Sequence, residues 1–245
     1  MKNNFILNKN KEIWGYTIPA LDETDLVKTG FSTRIGEVFK GDRQSTLAFC
    51  KSLGIYPEEI KFCGQVHGSK VVRAPKDISS DADGLMTDKK GLALVTFYAD
   101  CVPLYFLDTR HRVIALSHAG WKGTVGQIGK NTLAAMSKAY GTDPKDCLVA
   151  IGPSIGPCCF EVDRPVADRF KAAFDFSSEV IEPKDSGKFH IDLTKTNALD
   201  LIDAGVLDEN IYTSNICTSC NTDILYSYRR EGKIENRMAA IIMLM

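Results

Sequence analysis

The apolar positions of this chain fall mostly into short runs bounded by polar residues, glycine or proline, the pattern expected of strands. Such runs occupy Gly30 to Thr33, Lys70 to Ala74, Leu92 to Tyr98, Leu104 to Leu107, Val113 to Ser117, Leu148 to Ile151, Ile211 to Thr213, Ile224 to Tyr228 and Met238 to Leu244. Helical spacing appears from Thr124 to Tyr140, closed by Gly141; from Asp163 to Phe174, with Pro165 in the first turn; and from Thr194 to Ala204, closed by Gly205. A weaker helical pattern covers Ser45 to Ser52. Strands outnumber helices and several follow one another directly. That predicts an α+β fold of mixed sheets with helices packed outside, rather than a repeating βαβ chain. No period of roughly 20 to 50 residues recurs, and no linker rich in Pro, Gly or Ser divides the chain. A single domain over residues 1–245 is therefore expected.

Charge narrows the function classes. The 30 Lys and Arg nearly balance the 31 Asp and Glu, so no strong field draws the chain to nucleic acid or an anionic membrane. A small soluble substrate is the expected partner, with the protein a monomer or weak homo-oligomer. The N-terminus has only a three-residue apolar run, and no apolar stretch approaches the roughly 18 residues needed to span a bilayer, which predicts a cytoplasmic protein. Eight cysteines in a chain with no export signal point to metal binding or packing rather than disulfides.

Three residues stand where strands give way to turns. His67 lies in Gly64-Gln-Val-His-Gly68, His118 ends an apolar run before Ala119-Gly-Trp-Lys-Gly123, and Cys101 sits between Ala99-Asp100 and Val102-Pro103. Side chains at strand ends point into clefts at the sheet edge, where ligands bind. Two imidazoles and a thiolate would leave the fourth position of a tetrahedral zinc open, as catalytic zinc sites do. Packed or hydrogen-bonded histidines are the competing reading, because the spacing of the three is long and irregular. Cys101 could equally be a nucleophile paired with a base.

Other candidates have two readings each. The stretch from His118 to Thr124 feeds into a helix and could hold an anion with Lys122, or its glycines could merely permit a tight turn. Arg229, Arg230 and Arg237 could fork onto phosphate or pair with surface carboxylates. Cys217-Thr-Ser-Cys220 is half of a four-cysteine zinc set, but the only other close pair, Cys158-Cys159, is adjacent and cannot supply the matching half, so packing or chance is expected ahead of a redox role. His111 and His190 read as ordinary loop and strand-face residues.

Several motifs run in order along the chain: Gln65-Val-His67-Gly, Ala82-Asp-Gly84, Ala99-Asp-Cys101-Val-Pro103, His118-Ala-Gly-Trp-Lys-Gly123, Ile151-Gly-Pro-Ser-Ile-Gly-Pro-Cys-Cys159, Asp192-Leu193, Cys217-Thr218 and Ser227-Tyr-Arg-Arg230. Together they resemble the laccase-domain family, also called the YfiH or purine nucleoside phosphorylase family. The resemblance implies a single domain of mixed β-sheets sandwiched between outer helices, in αββα-like layers, with zinc held by His67, Cys101 and His118. It also implies phosphorolysis of purine nucleosides such as adenosine, inosine, guanosine and methylthioadenosine, with adenosine deaminase activity beside it. Polyphenol oxidation with copper in place of zinc, and hydrolytic editing of peptidoglycan precursors, are alternatives attached to the same family.

In that frame Asp83 and Asp100 become candidate acid, base or imidazole-orienting groups, and Arg34, Gln65, Lys122, Arg229 and Arg230 candidates for substrate and phosphate. One departure concerns the segment after Phe31-Ser-Thr-Arg34. Relatives usually carry paired glycines and an Asn-Leu-Gly stretch there, whereas this chain reads Ile35-Gly-Glu-Val-Phe-Lys-Gly-Asp42, which predicts a shorter entrance loop.

Overall fold

The computed structural model describes residues 2–10, 12–36, 38, 40–77 and 79–245. Glu37 and Phe39 of the loop after Arg34 lie outside the described residues.

Two sheets form the middle of the molecule. One has seven strands in the order Lys2–Asn3, Ile211–Thr213, Cys147–Ile151, Val102–Asp108, Val113–Ala119, Gly84–Thr87, Val71–Arg73. The other has six in the order Ile6–Asn10, Ile13–Thr17, Val27–Ser32, Met238–Leu244, Leu92–Tyr98, Glu59–Phe62. Both are mixed: the end strands Val71–Arg73 and Glu59–Phe62 pair parallel with their neighbours, while the central pairs are antiparallel. A small three-stranded sheet, Glu161–Val162, Phe189–Ile191 and Ile181–Pro183, lies beside them.

The period of two along each strand sorts side chains into layers. In Met238–Leu244, the side chains of Met238, Ala240, Ile242 and Leu244 enter the core between the sheets, and those of Ala239, Ile241 and Met243 face outward. The helix Arg43–Ser52 covers that outer face with Phe49 and Cys50. In Val102–Asp108, Tyr105 and Leu107 enter the shared core, while Val102, Leu104 and Phe106 meet residues of the helices Ile128–Tyr140, Arg164–Ala173 and Leu193–Asp203. Because both faces of the central strands are covered, they read as continuous apolar runs. The result is the α+β sandwich that the strand count and the motif resemblance predict.

Where sequence and structure differ, tertiary contacts decide. The predicted helix Thr124 to Tyr140 is broken in two, Trp121–Val125 and Ile128–Tyr140, because Gln127 adopts a left-handed φ of 54°. Ile224 to Tyr228, expected as a strand, is a turn leading into the short helix Tyr228–Glu231, whose start is capped by Ser227 accepting from the Arg230 N–H. The strands Ile6–Asn10, Ile13–Thr17, Glu59–Phe62 and Gly84–Thr87 were not apparent from periodicity. The edge strand Ile6–Asn10 carries Asn8, Lys9 and Asn10, the edge strand Glu59–Phe62 carries Glu59 and Lys61, and Gly84–Thr87 is short.

One buried carboxyl links stability to pH. Asp200, on the helix Leu193–Asp203 where it packs against Ile128–Tyr140, is 3% exposed, and burial pushes its carboxyl up to about 6. The folded state thus holds the proton more tightly than the unfolded chain does. Its contribution is fully present at low pH and is lost as pH rises through about 6. Asp200→Asn should therefore gain on the wild type by up to about 3 kcal/mol between pH 4 and pH 7, read from denaturant midpoints at each pH.

Candidate metal centre and active site

The strand register fixes where the histidine goes. In Val113–Ala119, Ile114 and Leu116 point into the core between the sheets, so His118, two positions on, points the same way at its open end. Cys101 sits earlier, where the chain crosses from one sheet to the other. Leu92–Tyr98 belongs to the six-stranded sheet and Val102–Asp108 to the seven-stranded one, so residues 99–101 form the corner between them. Asp100 takes a left-handed φ of 87° to make that corner. Pro103 lies inside the following strand, opposite His118. His67 sits in the loop between Glu59–Phe62 and Val71–Arg73, with a left-handed φ of 64°.

These three segments bring the ligand atoms of His67, Cys101 and His118 within 4.8 Å of one another. The two imidazole rings meet edge to face, with centroids 4.9 Å apart, and the Tyr98 ring centroid lies 5.4 Å from that of His118. Gly120 permits this approach: a Cβ there would lie 2.9 Å from His67 Cδ2 and 3.1 Å from Cys101 Sγ.

Asp83 organises the group from beneath. Its carboxylate is fully buried and accepts hydrogen bonds from the backbone N–H groups of Val66 (3.2 Å), His67 (2.9 Å) and Gly68 (2.8 Å). Its Oδ1 also lies 2.9 Å from His118 Nδ1, and the His118 N–H donates to the Asp83 carbonyl at 2.7 Å. With Nδ1 donating to the carboxylate, Nε2 of His118 is left for a ligand. Burial alone would raise the Asp83 carboxyl, but the His118 imidazole and the Gly68 and His67 amides hold it below the ordinary carboxylate value. Burial likewise opposes charge on Cys101 and His118. Their mutual attraction, with Asp83 behind His118, outweighs it, so the thiol is lowered and the imidazole raised. A polarised thiolate between two imidazoles is a donor set that fits a transition-metal ion, with a side left open.

The remaining sequence candidates divide. Asp100 is held by Thr218 Oγ1 (2.5 Å) and the Arg229 N–H (2.7 Å), so both oxygens are engaged in fixing the corner. Gln65 lines the cavity, but its amide is paired on both sides with the Phe97 backbone, at 2.7 and 2.8 Å, which gives it a strand-neighbour role. Arg229 lines the cavity, stacked over Phe160 and donating to the Cys159 carbonyl at 2.9 Å. Arg34, Lys122 and Arg230 do not line it. Arg34 is paired with Glu231 at 3.0 Å and lies over Tyr226. Lys122 is exposed over the Trp121 ring, and Arg230 donates to the Ser219 carbonyl at 3.2 Å.

The triad opens on a cavity of about 680 Å³. Its walls include Trp121, Phe160 and Tyr228, and its cations are Arg229, Arg237 and Lys40. The aromatic walls were not apparent from the sequence, although Trp121 follows His118-Ala-Gly and Phe160 follows the Cys158-Cys159 pair. In the sequence Arg237 stands out only by its guanidinium fork.

The profile of the family described as multi-copper polyphenol oxidoreductase laccase matches residues 39–245. The chain belongs to that family. It is 36% identical over 192 residues to purine nucleoside phosphorylase YlmD of Geobacillus stearothermophilus, covering 74% of this chain and 70% of that one. It is 33% identical over 220 residues to a purine nucleoside phosphorylase of Bacteroides thetaiotaomicron, covering 85% of this chain and 81% of the relative. The crystal structure of YlmD from Geobacillus stearothermophilus superposes with a TM-score of 0.87 at 30% identity, covering 98% of this chain and 99% of that one. The family implies a metal, and the triad is a donor set able to hold one.

If Asp83 sets the geometry, Asp83→Asn should weaken metal binding by about 10- to 100-fold, measured by competition with a chromophoric chelator. Gly120→Ala, which drives a methyl against two of the three ligands, should lower metal affinity at least as much while Tm falls little.

Proposed function

We propose that this protein is a zinc-dependent purine nucleoside phosphorylase with accompanying adenosine deaminase activity. The observation that carries this reading is the opening of the His67, Cys101 and His118 cluster onto one cavity that offers both aromatic walls and guanidinium groups. At about 680 Å³ it falls within the roughly 300–1,000 Å³ of small-molecule sites. The names of the relatives supply the substrate class.

His67, Cys101 and His118 would hold the zinc, which when bound supplies Lewis acidity and makes water nucleophilic near neutral pH. Trp121, Phe160 and Tyr228 provide faces for the purine. Arg229 takes the phosphate, its guanidinium already oriented by Phe160 and the Cys159 carbonyl, and Arg237 and Lys40 add positive charge. In phosphorolysis a phosphate oxygen bonds to the anomeric carbon as the bond from that carbon to the purine nitrogen breaks. The departing base takes up a proton at that nitrogen, and the attacking hydrogen phosphate gives one up, so the step balances. Asp83 acts as a positioning residue, because its carboxylate is sealed from the cavity by the groups it binds. Holding the phosphate and nucleoside together removes the entropic cost of a bimolecular encounter.

A multicopper oxidase reading finds less support. Only four histidines exist in the chain, and of these His111 pairs with Asp108 and His190 lies by Glu161. A multicopper oxidase passes electrons between several copper centres, and the two histidines left serve one centre.

Incubation of zinc-loaded protein with inosine should release hypoxanthine and ribose 1-phosphate only when phosphate is present. Base release independent of phosphate, or none at all, overturns the assignment. Arg229→Ala should raise the KM for phosphate by about tenfold or more, a loss of about 1.4 kcal/mol. Arg34→Ala should leave it near the wild-type value.

A further inference from the structure

Cys158, Cys159, Cys217 and Cys220 converge at a place separate from the triad. The adjacent pair was expected to be unable to complete a four-cysteine set, but the fold overcomes this by turning the chain tightly at both pairs. Cys159 N–H donates to the Gly156 carbonyl at 3.0 Å, and Cys220 N–H to the Cys217 carbonyl at 3.3 Å. Ser154 and Cys217 form an isolated parallel bridge, and the Thr218 N–H donates to the Ser154 carbonyl at 3.0 Å, which locks the two loops side by side. All four sulfurs then lie within 4.8 Å of one another.

We infer that these four cysteines bind one zinc ion as a closed, all-thiolate structural site. A zinc–sulfur bond of about 2.3 Å makes a tetrahedron whose sulfur–sulfur edges are about 3.8 Å. Cys220 Sγ lies 3.6 Å from Cys158 Sγ and 3.5 Å from Cys159 Sγ, close to that edge. The near equality of the two distances matters, since a disulfide joins one pair and these contacts single out none. Gly156 donates its backbone N–H to Cys217 Sγ at 3.2 Å, the kind of hydrogen bond that supports a thiolate ligand. A side chain at Gly156 would crowd the cluster, with a Cβ 3.1 Å from Cys217 Cβ and 3.4 Å from both Cys158 Sγ and Cys217 Sγ. Cys158 and Cys220 are exposed, which gives an ion a way in. Four thiolates select a soft or borderline ion over magnesium or calcium, and four protein ligands leave no position for substrate. Binding would release protons from the thiols, so zinc uptake should acidify a weakly buffered solution.

The site would brace the wall of the neighbouring cavity. Phe160 follows Cys159, and the Cys159 carbonyl holds Arg229. On the other loop, Thr218 holds Asp100 beside Cys101, and the Ser219 carbonyl holds Arg230. The zinc assignment itself stands on the cysteine geometry alone and does not depend on the nucleoside reading.

Metal content and cobalt spectra of the full chain test it. Wild-type protein should carry about two zinc ions per chain, and Cys101→Ser about one. Cobalt(II) loaded into Cys101→Ser should show the intense thiolate charge-transfer and tetrahedral d–d bands of a four-sulfur site, and these should vanish when Cys158→Ser and Cys220→Ser are added. The Cys158→Ser, Cys220→Ser variant on its own should keep one ion at the triad and melt at lower temperature. The assignment is overturned if wild type holds at most one ion and Cys101→Ser holds none. It is equally overturned if the unreduced protein shows a mass deficit of about 2 Da per bond from disulfides among these four residues. Because Cys101 does not touch the cluster, the Cys101→Ser spectrum decides the matter even if the cluster variants fail to fold.

Discussion

A single buried carboxylate organises the centre of this protein. Asp83 collects three consecutive backbone amides from the loop carrying His67 and one imidazole nitrogen from His118, so two candidate metal ligands from distant parts of the chain are referenced to one anchor. An ionised group taken fully out of water is costly unless its lone pairs are filled. Here the filling partners are the pieces that must be positioned. The left-handed φ of His67 and of Gln65 at 55° are part of the same arrangement, since they turn successive amides toward one point. Strain of this kind persists only where surrounding bonds over-determine it.

The sandwich supplies what the anchor alone would not. Parity along Val113–Ala119 sends His118 to the end of the layer between the sheets, and the chain changes sheets at the corner that bears Cys101. The centre thus sits at a rim of the shared core, with apolar packing below it and the cavity above. Asp100 serves the corner by binding Thr218 and Arg229, which ties the thiol's position to the wall that presents a cation. Candidate metal donors, aromatic faces and guanidinium groups are held by different elements, yet Asp100 beside Cys101 binds the Arg229 N–H, and the Arg229 guanidinium lies over Phe160 and donates to the Cys159 carbonyl.

The sequence made the central strands and the triad legible for simple reasons. Strands buried on both faces read as apolar runs, and residues at their ends stand out because glycine or proline follows. The edge strand Ile6–Asn10 was silent because none of its residues is buried, so it shows no alternation, and its Asn8-Lys9-Asn10 end resembles a loop. The helix expected from Thr124 onward looked continuous because its apolar spacing survives the break at Gln127. Arg34 looked like a phosphate ligand by type, but its partner Glu231 lies almost two hundred residues away, a pairing that spacing does not reveal. The four-cysteine cluster was missed for a related reason. Motif spacing describes ligands contributed by one local turn at a time, whereas here a parallel bridge between Ser154 and Cys217 sets two turns against each other.

The position of Met238–Leu244 also bears on how the molecule comes to exist. This strand lies between Val27–Ser32 and Leu92–Tyr98, with Ala240 opposite both Phe31 and Thr96. Closing contacts across so much intervening chain is entropically slow, and such topologies collapse late compared with helical bundles. Until that strand is inserted, the six-stranded sheet is split into two halves with unpaired edges, and Leu92–Tyr98 has no firm seat from which to carry the corner to Cys101. A chain in which that strand is not seated therefore lacks the support of the corner and presents open apolar edges, suited to self-association rather than to catalysis.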